Sequence, residues 1–135
     1  MTALLDTHVW LWWLLGSPQL PLHERNGLDR LAARAALGIA AVSLWEAQIL
    51  HAKRRLLLDR GFDVWIRDAA AVIQVLPLDV EVVVAVDRLP ASFHGDPADR
   101  LIVATARAHR LALATHDGKI RRSRAARLWR PRPSP

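Results

Sequence analysis

The chain has 135 residues, of which 52% are hydrophobic, and a formal net charge of +6. That length favours one domain with a core of its own, and that apolar content excludes a disordered chain. The absence of cysteine excludes a disulfide framework and a thiolate metal site.

The apolar stretch Val9 to Leu15 is too short to span a bilayer. It has neither the basic flank nor the small-residue cleavage site of a signal peptide. A cytoplasmic location is the simplest expectation. The charge is uneven: residues 1–99 carry 9 Lys/Arg against 12 Asp/Glu, whereas residues 100–135 carry 10 against one. A basic end beside acidic residues points to a phosphate backbone as ligand. For the last few residues a solvated basic tail is the plainer reading.

Taken in order, Thr2 to Leu5 is a short buried strand ended by Asp6. His8 to Leu15 reads as a helix stopped by Gly16-Ser17-Pro18. Gln19 to Asn26 is a polar loop, and Leu28 to Leu37 an alanine-rich helix with Leu28, Leu31 and Ala35 on one face. Ile39 to Val42 is the second strand. Ser43 with Glu46 fits a capping box, opening a helix to about Leu57 that buries Trp45, Ile49, Ala52 and Leu56. Phe62, Trp65, Ile66, Ala69 and Ile73 mark the next helix. Gln74 to Leu76 is the third strand, closed by Pro77, and Asp79 caps a helix over Val80 to Leu89.

Pro90 to Gly95 is a loop. Asp96 caps a helix with Pro97 at its first position, running to about Arg110. Leu111 to Ala114 is the fourth strand, and His116-Asp117-Gly118 its exit turn. Ala126 to Trp129 is a short fifth strand. The prolines after Trp129 exclude helix or central strand, so residues 130–135 are expected to form a flexible Pro/Arg-rich tail on a domain spanning 1–129. Strands alternate with helices, which predicts an α/β domain with a parallel sheet of four to five strands and helices on both faces.

In such a sheet the carboxyl ends of the strands share one edge, where ligands bind. Asp6, Glu46, Asp99 and Asp117 each follow a predicted strand, the third after a long loop. Singly, each has a plain explanation as a helix cap, a capping-box partner, a first-turn acid or a turn residue. Together they would repel one another strongly unless a cation lay among them. Oxygen donors without cysteine or paired histidines suit Mg²⁺ or Mn²⁺. His8, His51, His94, His109 and His116 form no His-x-His or His-Glu-x-x-His spacing. His116, beside Asp117, is expected at the surface or just behind the acids. Nucleophilic catalysis lacks its marks: there is no cysteine, no Gly-x-Ser-x-Gly elbow and no glycine-rich phosphate loop. Trp10, Trp12 and Trp13 share one helix, so one or two belong to the core and the other is exposed or part of an interface.

Four motifs, Leu4-Leu5-Asp6-Thr7-His8-Val9-Trp10, Val42-Ser43-Leu44-Trp45-Glu46, Asp96-Pro97-Ala98-Asp99-Arg100-Leu101-Ile102-Val103-Ala104-Thr105-Ala106 and Ala114-Thr115-His116-Asp117, occur in the order found in PIN-domain ribonucleases. The chain resembles most the VapC-type toxins of toxin–antitoxin pairs. The resemblance implies that Asp6, Glu46, Asp99 and Asp117 are the catalytic, metal-binding acids, with Thr7 and Thr115 as hydroxyls behind the metal and Asp96 assisting or capping. It also implies an RNA substrate, a small cognate antitoxin that covers the site, and a homodimer. The tryptophan-rich first helix and the proline-arginine tail depart from the family pattern.

The expected chemistry is Mg²⁺- or Mn²⁺-dependent hydrolysis of RNA phosphodiesters, with Arg100, Lys119, Arg121, Arg122 and Arg124 guiding the backbone. Two other readings stand beside it: an RNA-processing nuclease without an antitoxin, and a nucleic-acid-binding module without turnover.

Overall fold

The computed structural model describes residues 1–93 and 95–132. His94 and the last three tail positions, 133–135, lie outside the described residues. The elements run β1 (Ala3–Leu5), α1 (Thr7–Leu15), α2 (Leu22–Ala33), β2 (Leu37–Ala40), α3 (Ala41–Ala52), α4 (Phe62–Ala71), β3 (Gln74–Leu76), α5 (Val80–Asp87), α6 (Pro97–Ala108), β4 (Ala112–Ala114) and α7 (Gly118–Ser123).

The four strands form one parallel sheet in the order β3-β2-β1-β4. Leu4 sits opposite Gly38 on one side and Leu113 on the other. The chain winds outward from β1 to β3 and then crosses back to place β4 beside β1. The direction of winding therefore reverses between β1 and β4, where open α/β sheets form their binding crevice.

Successive strand residues point to opposite faces, and both faces are covered. Ala3, Leu5, Leu37 and Ile39 join Val9 and Trp10 of α1, Leu28 of α2 and Trp65 of α4 in one core. Leu4, Ala40 and Leu113 join Ile102 and Val103 of α6 and Ile120 of α7 in the other. Burial on both faces explains why the strands read as continuous apolar runs. The expected α/β architecture is thus present.

Several boundaries differ from expectation. The stretch read as a polar loop to Asn26 is helical from Leu22, and α2 ends at Ala33, leaving Leu37 to open β2. The second strand ends at Ala40, so Ala41 and Val42 are already helical. α3 ends at Ala52 rather than near Leu57. Its expected apolar face is also wrong in part: Trp45 is 62% exposed, and Ala47 is the residue that is buried. A seventh helix, α7, follows Asp117 where only a turn was expected. The fifth strand is reduced to a single parallel bridge between Leu113 and Leu128.

The missed helix ends have a common cause. Ala35, Arg54 and Arg110 adopt positive φ, and each lies just past a helix. The following residues Ala36, Arg55 and Leu111 donate to the carbonyls of Leu31, Leu50 and Ala106 at 2.8–2.9 Å. These are Schellman-type endings built without the glycine that normally marks them.

Two substitutions test this account by urea denaturation. Ile39→Ala, at a position with no exposure, is expected to cost about 2–5 kcal/mol. Ala35→Gly is expected to stabilise by up to about 1 kcal/mol, because glycine adopts the left-handed conformation without a Cβ penalty.

Candidate active site

Asp6 leaves the end of β1, and its N–H donates to the carbonyl of Ala114 at the end of β4 at 3.0 Å. That bond fixes it at the reversal point of the sheet. Its Oδ1 accepts from Val9 N–H at 2.8 Å and caps α1. Its Oδ2 accepts from the Thr115 hydroxyl. Asp117 caps α7 by accepting from Ile120 N–H at 3.0 Å, and its own N–H donates to Thr115 Oγ1 at 3.0 Å. Thr115 therefore ties the two aspartates together.

Asp96 caps α6, accepting from Asp99 N–H at 2.8 Å, with Pro97 in the first turn. Asp99 lies in that same first turn, carried toward the sheet by the buried face of Ile102, Val103 and Ala106. Glu46 is not the partner in a capping box. Because α3 begins at Ala41, Ser43 is inside the helix, and the cap position, Ala40, makes no side-chain bond. Ser43 is instead buried and shares a hydrogen bond of 2.9 Å with the Thr7 hydroxyl, which donates in turn to Glu46 Oε1.

Asp6, Glu46, Asp99 and Asp117 all line one pocket of about 340 Å³, together with Asp96, Thr7, His8, Trp12, Ile102 and His116. Every acid singled out in the sequence is thus brought to one place. Asp6 is 6% exposed. Burial raises its carboxyl above the usual range, against the lowering effect of the Thr115 and Val9 hydrogen bonds. Burial also raises Asp99, with the neighbouring charges of Asp96, Asp117, Glu46 and Asp6 adding to it, to about 6.

Among the described residues, no three His, Asp or Glu side chains stand close enough to form a metal shell by themselves. The acids ring the pocket rather than meeting at a point. A hard cation still fits this donor set. The groups are oxygen-only and crowded with like charge, and Mg²⁺ keeps several waters while taking only one or two carboxylates.

The basic residues are placed less uniformly. Lys119, Arg121 and Arg122 lie on α7, and Arg124 is its left-handed C-cap. Arg124 lines a separate cavity with Arg107 and Arg110. Arg100 follows Asp99 on α6. Sequence reasoning gave no role to Glu24, read Ser43 only as a helix cap, and placed Trp12 in the core or an interface rather than on the pocket. Glu24 pairs with His116 Nε2 at 2.9 Å, and Trp12 meets the His116 ring edge-on at 5.6 Å. Of the tryptophan cluster, Trp10 is fully buried, while Trp12 and Trp13 pack half-exposed around the core.

The fold and this pocket define a class. Residues 3–125 match the PIN domain, and the chain belongs to the PIN-domain family. It is 33% identical over 126 residues to Ribonuclease VapC22 of Mycobacterium tuberculosis (strain ATCC 25618 / H37Rv), covering 93% of this chain and 95% of that protein. Its fold is similar to the crystal structure of VapBC2 from Rickettsia felis bound to a DNA fragment from their promoter (TM-score 0.74, 18% identity, 96% of this chain and 98% of that one). It is similar also to FitAcB from Neisseria gonorrhoeae (TM-score 0.72, 23% identity, 96% and 98% covered).

The raised Asp99 predicts a pH-dependent stability in metal-stripped protein. The folded state holds this proton up to about pH 6, whereas the unfolded chain releases it near the ordinary aspartate value of about 3.9. Stability from this group is therefore full below about pH 4 and lost as pH rises to about 6. Asp99→Asn should stabilise metal-stripped protein at pH 7 by on the order of 1 kcal/mol, after allowing for solvent screening of a half-exposed group. The gain should vanish at pH 4, as read from urea midpoints at the two pH values.

Proposed function

We propose that this protein is a divalent-metal-dependent endoribonuclease that hydrolyses RNA phosphodiester bonds, and that it is the toxin of a toxin–antitoxin pair. The observation that carries the reading is the ring of carboxylates at the reversal point of the sheet, with Asp99 raised to about 6 by burial first and by its acidic neighbours second. Capping alone favours one acid per helix end, by a few tenths to about 1 kcal/mol each. It gives no reason to collect the acids from α1, α3, α6 and α7 around one pocket.

Asp6, Asp99 and Asp117 would hold Mg²⁺ or Mn²⁺, with Glu46 reaching it directly or through water. When bound, such a cation supplies positive charge against the phosphate oxygens and lowers the pKa of attacking water. The chain's own contribution is orientation. Thr115 fixes Asp6 against Asp117, and Thr7 and Ser43 fix Glu46. His8, Trp12 and His116 also line the pocket.

The name of the Mycobacterium tuberculosis relative, a ribonuclease, supports RNA as substrate. The VapBC assemblies of similar fold support a small cognate antitoxin as partner. A homodimer is the proposed assembly, and apolar side chains left exposed, such as Trp45 and Val80, are available to such interfaces. Among the described residues no helix is long and apolar enough to cross a membrane, which fits the proposed cytoplasmic location.

The test is cleavage of total cellular RNA by purified protein in Mg²⁺, Mn²⁺ or EDTA, with Asp6→Asn alongside. Discrete fragments are expected with metal, lost in EDTA and reduced by at least about a thousandfold in the variant, as for loss of a principal transition-state contact. Full activity in a folded Asp6→Asn protein would overturn the assignment. RNA held tightly in EDTA without cleavage under any condition would favour the binding module instead.

A further inference from the structure

A second, larger cavity of about 780 Å³ adjoins the carboxylate pocket, between α2 and the segment that follows α7. His116 belongs to the walls of both. Four guanidinium groups line it, those of Arg30, Arg121, Arg130 and Arg132. Among the described residues none of the four pairs with a carboxylate. The acid on the same lining, Glu24, is bound to His116 at 2.9 Å.

The groove has a built wall. Gly27 lets the chain after β4 lie directly on α2, since a Cβ there would stand 3.0 Å from the Trp129 indole and 3.1 Å from Pro131 Cβ. Pro131 thereby sets Arg130 and Arg132 on either side of a fixed contact. Arg121 is anchored from the opposite side, its Nε donating to Thr115 O at 3.0 Å. The half-buried indole of Trp129 and the exposed ring of His23 lie on the same lining. Arginines without carboxylate partners on the same lining as aromatic rings suit a single-stranded polynucleotide, whose phosphates meet the charges and whose bases stack.

We propose that this groove is the track for the RNA strand flanking the scissile phosphodiester, with Arg30, Arg121, Arg130 and Arg132 holding its phosphates and His116 at the junction with the carboxylate pocket. The proposal rests on the ribonuclease reading above. It moves most of the backbone contacts from α6 and α7, where Arg100, Lys119, Arg122 and Arg124 lie, to a surface built jointly by α2 and the C-terminal segment, with Arg121 common to both. An acidic protein segment would also answer the arginines, but it would bring no phosphodiester to the adjoining acids.

The test uses full-length protein and fluorescein-labelled dodecameric oligouridylate, titrated by anisotropy in EDTA over a range of salt. Arg30→Gln with Arg132→Gln is the probe variant, because among the described residues neither side chain makes a hydrogen bond or ion pair within the fold. Arg67→Gln with Arg88→Gln removes the same charge elsewhere. The groove variant should bind about tenfold more weakly, and its salt slope should fall by about 1.4, roughly 0.7 for each lost phosphate contact. The control pair should leave both quantities unchanged, and both variants should retain the parent's thermal midpoint. Unchanged affinity and slope in the groove variant, or an equal loss in the control pair, would overturn the proposal. Cleavage of total RNA by the same preparations judges the nuclease reading separately: a parent that binds through these arginines without cleaving would sink that reading, and with it the flanking-strand role, and leave the groove only as an RNA-binding surface.

Discussion

The repulsion among carboxylates at one edge of the sheet is the constraint around which this molecule is arranged. Asp6, Asp96 and Asp117 each cap a helix, and Asp99 sits in the first turn of another acid's helix. Partial positive charge at the helix N-termini offsets some of the crowding. It does not offset all of it: burial raises Asp99 to about 6, and the charges of Asp96, Asp117, Glu46 and Asp6 still add to that rise. The capping and catalytic readings of these acids are therefore not rivals. A carboxylate has two oxygens. Asp6 shows the division: one oxygen accepts the α1 amide and the other the Thr115 hydroxyl. The cap fixes the backbone, the hydroxyl fixes the rotamer, and the charge is left facing the pocket.

The sheet order makes this crowding possible. A parallel sheet wound in one direction would spread its strand ends in a row. Reversal between β1 and β4 instead opens a crevice into which α1 and α7 point their first turns, while α3 and α6 close in from the side. Glu46 and Asp99 do not leave strand ends directly. They arrive through the packing of Ala47 and Ile102 on opposite cores, so the site depends on both cores at once.

This division also explains what could be read from the sequence. Buried parallel strands are short apolar runs, Asp6 and Asp99 follow helix-start chemistry that is local in sequence, and Asp117 stands in a turn signal directly after a strand, so their placement was legible even though the helix that Asp117 caps was not. For Glu46 the plain alternative, a capping box, is the reading that failed. The Ser-x-x-Glu spacing is real, but with α3 opening at Ala41 the serine hydroxyl turns to Thr7, 36 residues earlier in the chain. No local rule reports such a contact. Helix ends were misplaced at Ala33 and Ala52 because Ala35 and Arg54 take a left-handed conformation at a cost of about 1 kcal/mol that glycine would avoid. Tertiary packing on either side, Leu37 into one core and Leu56 into the same core, overrides that local preference. Trp45 was assigned to the core on helical spacing, yet a two-residue shift in the start of α3 is enough to rotate it outward.

The C-terminal segment follows the same logic of local rules bounded by tertiary contact. Its prolines do exclude regular structure, but extended backbone is not the same as unattached backbone. Leu113 N–H bonds Arg127 O at 2.7 Å and Trp129 N–H bonds Leu113 O at 2.9 Å, which hold the chain against the free edge of β4 as far as Trp129. Beyond it, Pro131 meets Gly27. Proline donates no N–H and needs none here, because apolar contact with α2 replaces the ladder. The segment thereby covers an exposed sheet edge and at the same time carries two arginines past the carboxylate pocket. A strongly acidic cavity and a strongly basic groove that share His116 as a wall form a steep local change in potential. On the proposed reading, a polyanion would be held by its flanking phosphates on the basic side, and the one phosphate that enters the acidic side would meet the proposed cation there.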